Sequence, residues 1–187
     1  MAPRANPARH SVKVLVLTGP ESSGKSWLAG EIQAEFGGLI VGEYVRHFIQ
    51  QEQRDTCYAD IPAIARGQLN WEDVARASRP PLLILDTHLL SNMLWSQALF
   101  ADCPAWLEEQ LLARSYHLHL LLSPADVPWV DDGQRCQPQL TERQQFYRDC
   151  RDWLEQHQQR YLELHGDWPQ RRQQALKAIE HWRAGQG

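Results

Sequence analysis

The sequence predicts an α/β fold, a parallel β-sheet of about five strands flanked by helices and carrying one lid segment. Three observations predict it. Short apolar runs with the length of buried strands alternate with longer stretches whose apolar residues recur at helical spacing. A glycine-rich turn stands between the first such run and the first such stretch. One polar stretch, rich in Pro, Asp, Gly and Gln, is too long for an ordinary connection.

Taken in order, residues 12–18 (VKVLVLT) form a short β-branched apolar run ended by Gly19-Pro20, as expected of a strand buried on both faces. Residues 25–36 follow with Trp27, Leu28, Ile32 and Phe36 at helical spacing, and Gly37-Gly38 stops that helix. Residues 39–42 predict the second strand. A mostly helical stretch then runs to about Ser78, and 82–86 (LLILD) is a third strand after Pro80-Pro81. Helices are expected over 89–101 and 104–115, and a fourth strand over 117–122 (HLHLLL). Residues 123–140 are the expected lid. A long amphipathic helix over 142–161, a fifth strand over 161–164 and a closing helix over 169–182 complete the alternation. The chain reads as a flexible tail over 1–11 and a single domain over 12–187.

Composition narrows the function classes. At 187 residues the chain can bury one full core. Its 43% apolar and 22% charged residues are ordinary for a soluble protein, and no run approaches the ~18 apolar residues of a membrane span. A formal charge of -4, with the Arg residues scattered among Gln, Glu and Asp, gives no footprint for nucleic acid. Cys57, Cys103, Cys136 and Cys150 are widely spaced, without CxxC or a His cluster, which suits reduced thiols in the cytoplasm. The first residues lack the apolar core of a secretory signal.

The chemistry lies in Gly19-Pro20-Glu21-Ser22-Ser23-Gly24-Lys25-Ser26, a match to GxxxxGK[ST] between an expected strand and an expected helix. That placement makes the sheet a P-loop kinase fold. The glycines let backbone N–H groups curl around phosphate oxygens, and the helix N-terminus adds its field. Residues 19 and 21–27, ending with Trp27, are thus the expected ATP site. Lys25 would reach the β- and γ-phosphates, and the Ser26 hydroxyl would coordinate Mg²⁺. Asp86 ends a strand at the sheet's carboxyl rim, where ligands gather, and is the expected second Mg²⁺ ligand.

Glu43 follows the second strand at the same rim and could accept the proton of an attacking hydroxyl or bind the sugar carrying it. Tyr44 and Arg46 lie beside it; Arg46 could clamp phosphate or steady Glu43. In the lid, residues 129–135 (WVDDGQR) put an aromatic ring, two carboxylates, a glycine hinge and a cation in seven positions. Arg135 could swing onto the transferring phosphate while Trp129 stacks on a flat ring. Trp95, Trp106 and Trp153 fall on apolar helix faces and read as core, and His117 with His119 lacks the third ligand of a metal site. His88 stands at the site rim after Asp86.

With these motifs in order, the chain resembles the ribosylnicotinamide kinase domain of NadR-type proteins, from about residue 12 to 179. The resemblance rests on GPESSGKS at 19–26, GEYVRHF at 42–48, ILDTH at 84–88, WVDDGQR at 129–135 and RQQFYRD at 143–149. It implies ATP-dependent transfer to the 5′-hydroxyl of nicotinamide riboside, giving nicotinamide mononucleotide. On that reading Trp129 or Tyr44 meets the cationic base, Asp131 or Asp132 offsets its charge, and Glu43 or Asp86 handles the ribose hydroxyls. The chain departs from related sequences at Trp27, where Thr is usual, at His88, where a second acid is common, and at Gly42. It has no HxGH-type motif of the nucleotidyltransferase domain that larger members carry. A kinase for another nucleoside or small alcohol, or a catalytically weak nucleotide switch, is the alternative expectation.

Overall fold

The computed structural model describes residues 12–185, so the expected tail over 1–11 lies outside the described residues. Among the described residues the five strands are β1 (Val14–Thr18), β2 (Leu39–Val41), β3 (Leu83–Asp86), β4 (Leu118–Leu122) and β5 (Tyr161–Leu164). All pair in parallel in the order β2-β3-β1-β4-β5. Parallel strands need crossovers, which the helices provide: α1 (Lys25–Phe36), α2 (Tyr44–Glu52), α3 (Ile61–Ala77), α4 (Leu89–Phe100), α5 (Trp106–Leu112), α6 (Leu140–Gln156) and α7 (Trp168–Ala184).

The apolar runs have no polar side because both faces are covered. In β1, Leu15 and Leu17 pack with Leu28 and Ile32 of α1 and Ala175, Ile179 and Trp182 of α7. Val14 and Val16 point the other way, toward Val41, Ala75, Leu83 and Leu85. A larger cluster joins α3, α4, α5 and α6 through Ala65, Leu89, Leu107, Phe146 and Trp153. Each fully buried Leu or Ile contributes about 1.5–3 kcal/mol relative to exposure, so this two-sided burial fixes β1 and the loop that leaves it. Register sets Leu17 opposite Asp86 and Thr18 opposite Leu121, which brings the carboxyl ends of β1, β3 and β4 together.

Several boundaries differ from the sequence expectation for local reasons. The stretch between β2 and β3 is two helices separated by a 3₁₀ turn at Tyr58–Asp60, and Gln53 in the left-handed region ends α2. The helix expected over 104–115 is confined to Trp106–Leu112. α6 stops at Gln156 rather than reaching Tyr161. There Gln158 adopts φ 51, and the amides of Gln158 and Gln159 return to the carbonyls of Glu155 and Leu154, a glycine-free Schellman closure. The helix α7 begins one residue before Pro169, capped by Asp167, whose carboxylate accepts from the Gln170 amide at 3.0 Å. Residues 123–139 form no helix or strand, as the polar composition of the lid predicts.

Candidate active site

The loop from Gly19 to Ser26 leaves the buried end of β1 and turns into α1. Gly19 sits at φ 133, where a Cβ would lie 2.7 Å from the Leu122 carbonyl oxygen, so only glycine lets the loop pass the end of β4. Gly24 caps α1 at φ 93, and a Cβ there would meet the Trp168 ring at 2.2 Å. Ser23 braces the turn by donating to the Pro20 carbonyl at 2.8 Å. The first amides of α1 have no partners within the helix and carry its positive end, which makes the mouth of the loop an anion site. Lys25 is curled back in this structure, its Nζ donating to the carbonyls of Gly19 at 3.0 Å and Pro20 at 2.8 Å.

Asp86 closes β3 beside this loop. It is buried, and its Oδ1 has no hydrogen-bond partner among the described residues. Burial pushes its pKa up and nearby Glu43 adds to that, while Lys25, the Ser26 hydroxyl and Arg46 oppose. An orphaned carboxylate oxygen next to a serine hydroxyl fits a hard divalent cation, so the donor set suits Mg²⁺ with phosphate oxygens completing it. Thr87 follows at φ 90, a strained value for a β-branched residue, with its own hydroxyl buried and unpartnered. His88 is not at the rim as expected. It is fully buried beneath it, 4.7 Å from the Tyr116 ring and 5.3 Å from that of His119, and burial holds its pKa well below the usual histidine range.

Glu43 caps α2, and its backbone is gripped from both sides by buried Gln68. The Gln68 amide donates to the Gly42 carbonyl at 3.1 Å and its oxygen accepts from the Tyr44 amide at 2.8 Å. Arg46 donates to Glu43 at 2.7 Å and to Asp132 of the lid at 2.9 Å. Of the two duties expected for Arg46, the geometry displays the steadying of Glu43.

The lid is fastened to the P-loop by side chains. Glu21 accepts from the Trp129 indole at 2.8 Å, the Cys136 amide at 3.1 Å and the Gln137 amide at 2.8 Å. The Ser22 hydroxyl accepts from the Val130 amide at 2.9 Å and donates to the Pro128 carbonyl at 3.3 Å. Asp132 pairs with Arg135 at 3.2 Å as well as with Arg46, and Arg135 also donates to the Val130 carbonyl. Asp131 accepts from the Gly133 amide at 2.9 Å, a local turn.

A cavity of about 380 Å³ joins these parts. Its wall includes Lys25, Ser26 and Glu43, with Arg135 on the lid side. At the α3 and α4 side it opens on an apolar recess of Ile49, Ile61, Ile64, Trp95 and Leu99, and elsewhere Trp27 and Trp168 line it. Two expected base-contacting rings are not part of this wall. Tyr44 packs edge-on against Trp71 at 4.9 Å, over Gly67, where a Cβ would meet its ring at 2.1 Å. Trp129 is tied by its indole to Glu21. The ring found in the recess is Trp95, expected in the core; it packs against that core, tilted to Phe146 at 5.3 Å, and also lines the cavity.

Sequence reasoning also missed Arg171. Fully buried on α7, it donates to the carbonyls of Gly166 at 2.6 Å, Ser23 at 3.0 Å, Ser123 at 2.8 Å and Ala125 at 2.6 Å. One guanidinium thus ties the P-loop, the start of the lid and the loop before α7. Its hydrogen-bond partners are backbone atoms up to 148 positions away, which no local pattern announces.

Comparison with known proteins places this geometry. Residues 14–171 match a family model described as an AAA domain. A crystal structure of the NadR protein in complex with NR superposes with a TM-score of 0.73 at 21% identity, over 93% of this chain and 52% of that one. A NadR protein in complex with NAD and AMP-PNP gives 0.70 at 16%, over 93% and 50%. A thymidylate kinase from Ehrlichia chaffeensis gives 0.63 at 12%, over 90% and 99%. The chain spans about half the length of the two NadR proteins, and likenesses at such identities establish the fold: a P-loop kinase sheet.

Proposed function

This chain belongs to the AAA-domain family, and we propose that it is an ATP-dependent kinase that phosphorylates the 5′-hydroxyl of nicotinamide riboside to give nicotinamide mononucleotide. The observation that carries the reading is the single cavity in which the P-loop lysine, Glu43 and an apolar recess with one aromatic wall face a common space. That arrangement suits a triphosphate beside a small ring-bearing acceptor, and the NadR neighbour in complex with NR supports the choice of acceptor. The reading takes residues 12–187 as one kinase domain.

The geometry supports a role for each residue. Lys25 leaves the carbonyls of Gly19 and Pro20 and turns to the β- and γ-phosphates, which are better partners for its charge. Ser26 and Asp86 would hold Mg²⁺, which offsets negative charge on the phosphates. Glu43, held in place by Gln68 and Arg46, accepts the proton of the acceptor hydroxyl; Asp86, the alternative base, is buried beside the loop and does not line the cavity. Arg135 on the lid stabilises the transferring group once it exchanges the Val130 carbonyl for phosphate oxygens. Trp95, rather than Trp129 or Tyr44, offers a ring face to the cationic base, and the recess excludes water around it.

The test is ADP formation by the purified protein with MgATP, alone and with nicotinamide riboside, uridine, cytidine, adenosine or thymidine at matched concentration. Stimulation by nicotinamide riboside alone is the expected result. Stimulation by a different nucleoside would keep the chemistry and replace the acceptor, and no stimulation by any would remove the kinase reading.

A further inference from the structure

We infer that Trp27 and Trp168 form a stacking platform for the base of the phosphoryl donor, and that this site accepts adenine and guanine nucleotides with little discrimination. The inference rests on the nucleotide-binding part of the proposed function. Trp27 immediately follows Ser26 at the start of α1, and Trp168 opens α7. Their rings meet edge to face at 5.0 Å, and both line the cavity that holds Lys25 and Ser26. Each stays more than a third exposed, 37% and 38%, although each is among the largest apolar side chains of the molecule. Indole surface left exposed to water costs hydration, and a flat ring laid on it recovers that cost.

The Gly24 position links the pair to the phosphate site. The Trp168 ring lies where a Gly24 Cβ would be, so the platform abuts the cap of the phosphate-binding helix. A triphosphate seated on the α1 amides therefore has ring surface beside it for its own base, at positions distinct from the recess of Ile61, Ile64 and Trp95 that receives the acceptor.

Weak discrimination follows from where the hydrogen-bonding groups of the neighbouring loop have gone. The His165 amide donates to Gln174 and the His165 carbonyl accepts from the same side chain. The Gly166 amide donates to Asp126 and its carbonyl accepts from Arg171. The Asp167 amide donates to Gln170 and its carbonyl accepts from the Arg171 amide. Each amide of residues 165–167 is engaged within the protein and each carbonyl already accepts one hydrogen bond, so this stretch keeps no free backbone donor with which to select the guanine O6 over the adenine edge. Stacking is tolerant of base identity because every base has a π-face, and it favours the larger purines.

Calorimetric titration with MgATP, MgGTP, MgCTP and magnesium tripolyphosphate, without acceptor, tests this on wild-type protein and on Trp27→Ala, Trp27→Phe and Trp168→Ala. The expected result is ATP and GTP binding within about five-fold of each other, and a loss of about ten-fold or more for both in the alanine variants. Trp27→Phe restores most of that loss, and tripolyphosphate binds every variant alike. Unchanged ATP affinity in Trp27→Ala, a strong preference for one purine, or equal weakening of tripolyphosphate and ATP would overturn the platform. Tripolyphosphate binding with no added affinity from a base would overturn it while sparing the P-loop, whereas failure of wild type to bind any of these probes would overturn both.

Discussion

The P-loop and the lid face the same cavity but are held by different kinds of contact. The P-loop is the outflow of a strand buried on both faces, and its shape is set by backbone: two glycines at positive φ, a serine returning to a carbonyl, and the first turn of α1. The lid has no regular structure and is held by the side chains of two P-loop residues, Glu21 and Ser22, with Asp132 bridging Arg46 and Arg135. Backbone-built sites are preorganised, whereas a part-exposed side-chain latch can be undone at small cost. The difference suits a site that must hold phosphate in a fixed cradle and still admit and release substrates.

Arg171 belongs to both regions. Arg171→Met leaves the carbonyls of Ser23, Ser123, Ala125 and Gly166 without their partner, and unfolding free energy is expected to drop by roughly 3–5 kcal/mol. Denaturant titration checks it, and an unchanged midpoint would show that the guanidinium is not what joins the loops. Lys25→Ala acts on the cradle alone. It should lower kcat by about 10²- to 10³-fold with the thermal midpoint nearly unmoved, and a variant retaining a tenth of the activity would remove Lys25 from the transfer.

Acid separates the sheet from the lid. His119 lies buried in β4 with its pKa lowered to about 4, chiefly by burial and partly opposed by the Arg160 carbonyl, and His88 is lowered as well. Both are neutral in the folded protein, while the unfolded chain takes up protons near pH 6.5. Stability is therefore complete above that pH and declines as pH falls from 6.5 towards 4, by roughly 3 kcal/mol for His119 alone. Thermal melts across this range should show the decline, and His119→Gln should flatten it; a flat profile in wild type would contradict the burial argument. The smallest effect is expected at Glu21. Glu21→Ala removes three acceptor contacts of the lid, and amide exchange at Cys136 and Gln137 should accelerate by about ten-fold without loss of fold.

What could be read from the sequence divides along the same line. The P-loop and the five strands were legible because their signals are local: a spacing of glycines, and apolar runs too short for helices. The lid was legible as a segment through its composition, but its anchor was not, since Glu21 and Trp129 are 108 positions apart. Helical periodicity put Trp95 on an apolar face without saying that part of this face borders a cavity rather than the core. The end of α6 was overrun because its left-handed residue is Gln158, with no glycine to mark it. Tyr44 and Trp129 were natural choices for a base contact by neighbourhood in sequence; packing on Gly67 and a bond to Glu21 direct their rings elsewhere.

In the proposed reaction one cavity brings a triphosphate and an acceptor hydroxyl together so that phosphate passes between them. Incubation of the protein with ATP labelled in the γ-phosphoryl group, Mg²⁺ and nicotinamide riboside, followed by separation of the products, tests it most directly. Label recovered in nicotinamide mononucleotide, with little in inorganic phosphate, is the predicted result. Label found only in inorganic phosphate, or left in ATP, would contradict it.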